Sequence, residues 1–225
     1  MSDFDSEAPL EDDWNDRGDL AWNEFDWERY LREQDEAIQR YLTYYEALRR
    51  AAGRIDAVAE QMGWEPAPAD EEESETDPMD AEEKPTVFDE GDEVYTLHKN
   101  PVFIATKAIY LGLRRSWELA AAAAGRVPAP LAVGLLASLH CGEEQASQAI
   151  HALDFGDYAM AVSLFKRALS ALNQSLSLLS GPDASRYQAV ADYREDALPR
   201  LFDLREIWLR IIHECREELN RPVDE

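Results

Sequence analysis

The stretch WERYLREQDEAIQRYLTYYEALRRAAGRIDAVAEQM, Trp27 to Met62, decides the fold class. Trp27, Leu31, Gln34, Ile38, Tyr41, Tyr45, Leu48, Ala52, Ile55, Ala59 and Met62 recur at alternating spacings of four and three, which is the stripe of one helical face and not the two-residue alternation of a strand. The spacing predicts a single helix of roughly 54 Å at about 1.5 Å per residue. Gly63 is placed to close it, because a residue without Cβ enters the left-handed conformation of a helix cap freely. A stripe this long needs cover, either from a second copy in a coiled coil or from helices of the same chain. The rest of the sequence offers such helices, so a bundle is expected.

Asn100 followed by Pro101 reads as a cap residue and a proline at the first helical position, opening a helix through VFIATKAIYLGLRRSWELAAAAAG to Gly125. RVPAP breaks the pattern, and a third helix is expected from about Pro130 to Asp154. Phe155 and Gly156 make the next turn, Tyr158 to Leu179 the fourth helix, and SGPD from Ser180 the next break. A fifth helix should run from near Asp183 to about Leu219, kinked or divided at Pro199, where a ring replaces the backbone donor. No alternating strand-like run occurs. The expected class is all-α: an antiparallel helical bundle of about five helices, in which the first helix (21–64) packs with residues 94–225 as one domain.

Of the net charge of −25, residues 1–93 carry 31 Asp and Glu against 8 Arg and Lys, and residues 94–225 carry 16 against 14. The acidity therefore belongs to the front of the chain and is not the surface of a salt-adapted protein. Residues 1–20 have too little apolar surface to offset the entropy of ordering and are expected to be a disordered acidic tail. Residues 65–93 combine prolines with thirteen acidic residues between Asp70 and Glu93, and read as an acidic disordered linker. Such charge repels phosphates, and the remainder has no basic stripe, so direct nucleic-acid binding is not expected. No apolar run reaches the roughly 20 residues of a membrane span. MSDFDSEAPLEDD lacks the basic and apolar regions of a signal peptide. With two cysteines, Cys141 and Cys215, and no framework between them, a reducing cytoplasm is expected, with both thiols as small buried hydrophobes.

Gly156, Asp157, Tyr158, Ala161, Phe165, Ala168 and Leu169 resemble the second-helix half of a tetratricopeptide repeat, in which small alanines let paired helices approach and an aromatic fills the gap. The likeness covers residues 143–172. It implies a concave surface that binds peptides or proteins. The first-helix positions are Gln145, Gln148, Ala149 and Ala152, and of these only Ala149 fits the pattern. Asn173 stands where a terminating proline is usual, and the apolar phase runs on through Leu172, Leu176 and Leu179. A repeat scaffold needs about three units, so the alanines read as close helix packing inside a bundle.

Chemistry is sparse. There is no glycine-rich phosphate loop, no Gly-x-Ser-x-Gly elbow and no Glu-x-x-His pair, the last being the signature of a two-metal carboxylate bundle. No cofactor and no catalytic residue are expected. His140, Glu144, Gln148 and His151 share a face of the third helix, the nearest approach to a metal site, but lie opposite Leu135, Leu139, Ala146, Ala149, Ile150 and Leu153 and should face solvent. His213 and Glu217 likewise lie away from the expected buried face Trp208, Ile212, Cys215 and Leu219. The candidate partner-binding residues are Trp22, Phe25, Trp27 and Tyr30, large aromatics set between acidic groups, a pattern suited to docking in a groove. The simpler reading, favoured because Trp27 is in phase with the stripe that follows, is that they form the first turns of a helix packed on its own domain. The expected function is a non-catalytic interaction or assembly protein, with a protein partner or self-association. The alternatives are a metal protein or enzyme using His140, Glu144 and His151, and an acidic mimic of nucleic acid that inhibits a basic partner.

Overall fold

The computed structural model describes residues 22–64, 100–122, 125, 127–182 and 186–221. The expectations for the acidic tail and for the linker fall outside these residues. The described residues hold six helices of eight residues or more and no strand: α1 (Glu24–Ala47), α2 (Arg54–Gln61), α3 (Pro101–Ala121), α4 (Ala129–Asp154), α5 (Tyr158–Leu179) and α6 (Gln188–Asn220). None is long and apolar enough to cross a membrane. The all-α class follows directly.

The single helix expected from Trp27 to Met62 is two helices. The chain leaves α1 at Leu48 and re-enters at Gly53, which has a left-handed φ of 62°. The apolar phase continues across the break, so periodicity could not reveal it, while the backbone reversal resets which face is buried. In α2 the buried residues are Arg54 and Val58; Ile55, Ala59 and Met62 are half-buried and Ala52 is exposed. Gly63 does take the left-handed conformation, with φ 76°.

The other helix ends follow local chemistry. The Asn100 side chain accepts from the Phe103 amide at 3.1 Å with Pro101 behind it. Asp157 caps α5 through the Met160 amide at 2.9 Å, after Gly156 turns at φ 72°. α6 begins at Gln188 and runs unbroken past Pro199 for 33 residues, so the proline does not divide it; the helix is held by its neighbours on both sides.

Helices α3 to α6 close a ring. α3 packs on α4, α4 on α5, α5 on α6, and α6 returns to α3. Neighbours run antiparallel: Trp117 Nε1 donates to the Ala132 carbonyl while Lys107 reaches Glu143, and Trp208 Nε1 donates to Thr106 Oγ1 while Tyr193 Oη donates to the Leu113 carbonyl. The core is aromatic. Trp117, Trp208, Tyr110 and Phe165 are fully buried, with Tyr110 and Phe165 both against Trp208 and Trp117 against Tyr193. Each buried Trp N–H just named has an acceptor, as burial in an apolar setting requires. On α4 and α5, Ala146, Ala149, Ala161 and Ala168 are fully buried, so the alanine pattern serves close approach of this hairpin. α1 lies outside the ring on α3, also antiparallel, with Leu42 near Gly112 and Gln39 near Arg115.

Candidate functional site

The first turns of α1 are built locally. Asn23 Oδ1 accepts from the amides of Phe25 and Asp26 at 2.8 and 3.2 Å, and Asp26 Oδ2 returns a bond to the Asn23 amide at 3.2 Å. This reciprocal box satisfies amides that would otherwise be orphaned. Trp22 precedes the cap and packs edge-on against Trp27 at 4.9 Å between centroids, with Tyr30 at 5.3 Å from Trp22 and 5.9 Å from Trp27. A hydrophobic residue before the cap touching the fourth helical residue is a staple that fixes the chain's entry. Trp22, Trp27 and Tyr30 therefore meet, whereas Phe25 points elsewhere.

What this cluster does not do is enter the core. Phe25 is 76% exposed, Trp27 52% and Leu31 48%, and burial of α1 begins only at Ile38. The reason is length. Gln39 stands beside Arg115, six residues before the end of α3, while α1 extends fifteen residues back to Glu24. At about 1.5 Å per residue, roughly 13 Å of α1 overhangs the end of α3. Around the aromatics, Glu24, Asp26, Glu28, Glu33, Asp35 and Glu36 outnumber Arg29 and Arg32, which pair within the helix with Asp26 and Glu28.

The polar stripe of α4 behaves as expected. His140, Glu144, Gln148 and His151 are all exposed, and Gln148 Nε2 donates to Glu144 Oε1 at 3.4 Å. Among the described residues no group of three or more His, Cys, Asp or Glu could hold a metal ion. His213 and Glu217 are an exposed pair at 3.2 Å. Two expectations need correction. Cys141 is exposed, since it sits one step from His140 on the outer side of α4, while Cys215 is buried. Leu219 is exposed, because α6 runs out past its neighbours, although Trp208, Ile212 and Cys215 are buried.

Sequence reading missed the buried charges. Glu143, 4% exposed, takes Lys107 at 3.0 Å and Arg114 across the α3–α4 contact. Buried Arg200 forks onto Glu46 and Asp196 with four hydrogen bonds. Buried Arg54 donates from Nε to Asp203 Oδ2 at 2.8 Å, its Nη2 bonds the same oxygen, and Tyr45 Oη donates there at 2.7 Å. Burial and the adjacent Asp203 carboxylate hold the Tyr45 phenol far above its ordinary pKa, so it stays a donor. With Arg210 on Asp56, these pairs fasten α1 and α2 to α6. The cleft among them, about 320 Å³, is lined by carboxylates bonded to arginines. No protein-family model, no curated protein and no solved structure matches the chain.

Proposed function

We propose that the protein is a non-catalytic interaction or assembly module whose contact is the overhanging start of α1. The observation that carries this reading is the exposure of Trp27 and Leu31, four residues apart on one face, with Phe25 exposed on another, of a helix that is internally stapled and capped yet extends past the bundle it belongs to. A helix already ordered loses little entropy on docking, and aromatics on a helical face are the usual anchors of helix-in-groove recognition. Six carboxylates around them favour a partner groove with a basic rim over a second copy of the same acidic helix.

The test compares the wild-type chain with a Phe25→Ala, Trp27→Ala, Leu31→Ala variant in affinity purification from native cells with quantitative identification of the bound proteins. The expected result is selective loss of one or a few partners, with the unfolding midpoint of the bundle unchanged because none of the three enters the core, and with helicity lowered at most by fraying of the first turn of α1, where Trp27 closes the staple. Equal recovery from both chains, together with a monomeric state for both in light scattering, would remove the support for this reading.

A further inference from the structure

At the opposite end of the bundle, the turn between α4 and α5 and the last turns of α6 enclose a groove of about 390 Å³ lined by Leu153, Tyr158, Ile211, Cys215 and the glutamates 214, 217 and 218. Its floor is apolar. Its rim carries Glu214, Glu217 and Glu218, with Arg216 among them in sequence and Arg221 at the helix cap. His213 and Arg221 pair with Glu217 and Glu218 from outside, and Arg210 is committed to Asp56 and Glu206. Glu214 receives no ion pair among the described contacts, and burial together with the neighbouring Glu217 pushes its carboxyl above the usual range. Phe155, 87% exposed, and Leu219 flank the lining residues in sequence and add apolar surface.

We infer that this groove is a second docking site, and that its occupant is a basic amphipathic segment of a partner protein, with an apolar side chain on the Leu153, Tyr158 and Ile211 floor and Lys or Arg on the glutamate rim. Charge complementarity selects this occupant. An acidic segment, an anionic membrane or a nucleic acid would meet Glu214 without an ion pair of its own, beside Glu217 and Glu218, whose partners His213 and Arg221 do not line the groove. The inference does not depend on α1, which overhangs the other end.

The probe is a fluorescein-labelled helical peptide of leucine and lysine in amphipathic register, titrated into the full chain and followed by fluorescence anisotropy. The controls are oligolysine of equal length and the same peptide with glutamate replacing lysine. The variant is Glu214→Gln with Glu217→Gln and Glu218→Gln, a change of only three charges in a chain of net charge −25. Attraction to acidic segments elsewhere in the chain would therefore persist in the variant. The expected result is saturable binding of the leucine-lysine peptide, weakened about tenfold or more in the variant, a difference of about 1.4 kcal/mol, with oligolysine weak and equal on both chains. Equal binding of the leucine-lysine peptide to both chains would overturn the proposal. So would self-association that Ile211→Arg abolishes, which would give the groove to a second copy.

Discussion

Gly142 and Gly112 show how much single residues decide where helices cross. A Cβ at Gly142 would press into the hydroxyl of Tyr110, a ring that is buried and stacked on Trp208 and so cannot swing away. Gly142→Ala should therefore destabilise the protein by about 1–3 kcal/mol in denaturant unfolding. In a Tyr110→Phe background the cost should shrink, because the nearest ring atom would then lie at an ordinary 3.4 Å; an undiminished cost would show that the clash is not what matters. Gly112 leaves room for the Arg200 guanidinium, which would lie 2.6 Å from an added Cβ. Arg200→Ala should cost about 1–3 kcal/mol, since it removes the buried cation that bonds the partly exposed Glu46 and Asp196. A double-mutant cycle with Glu46→Ala should return a coupling of about 1–3 kcal/mol; a coupling near zero would reduce the pair to packing alone. These buried charges were illegible in the sequence. Periodicity assigns charged residues to the surface, and the partners of Arg200 and Arg54 on other helices stand 154 and 149 residues away along the chain.

Elements were legible where local chemistry marks their ends. Asn100 with Pro101, and the Phe155–Gly156–Asp157 turn, carry their signals in adjacent residues, and α3, α4 and α5 begin or end there as read. Of the four aromatics singled out in the sequence, Trp22, Trp27 and Tyr30 meet and Phe25 does not join them; the Asn23 cap went unread, and the exposure of Trp27 was hidden because it depends on where α3 stops. The break between α1 and α2 was hidden because an apolar phase counts residues and is blind to the sign of φ. A substitution separates the two descriptions by sign. In one continuous helix, Gly53→Ala would stabilise by up to about 1 kcal/mol through helix propensity. In the structure Gly53 has φ 62°, so alanine there meets the left-handed penalty of about 1–2 kcal/mol, and the expected outcome is a lower unfolding midpoint. Gly53→Asn should fall less, since asparagine tolerates that conformation best among residues with side chains.

At the scale of the molecule, charge is partitioned. The described residues hold 22 Asp and Glu against 18 Lys and Arg, so only −4 of the net −25 belongs to them. The helical part is thus close to neutral, and its response to acid depends on individual carboxyls whose shifts have opposite sign. The Arg210 hydrogen bond holds Asp56 below its ordinary pKa. Its stabilisation is present above the unfolded-state value and is lost as pH falls through the folded-state value. Glu214 is raised by burial and by Glu217. The folded state then binds its proton more tightly than the unfolded chain, so this site destabilises the fold at neutral pH and relaxes as pH falls through the raised pKa. Asp56→Asn should accordingly cost about 0.2–1 kcal/mol at neutral pH, the range of an exposed ion pair, with the deficit fading in acid. Glu214→Gln should instead stabilise at neutral pH by a few tenths of a kcal/mol, given how exposed the group is, with the advantage fading over the same acidification. Because all other carboxylates are common to the three chains, the variant-minus-wild-type difference in unfolding free energy isolates each site. A Glu214→Gln advantage that grows as the pH is lowered would contradict the raised carboxyl.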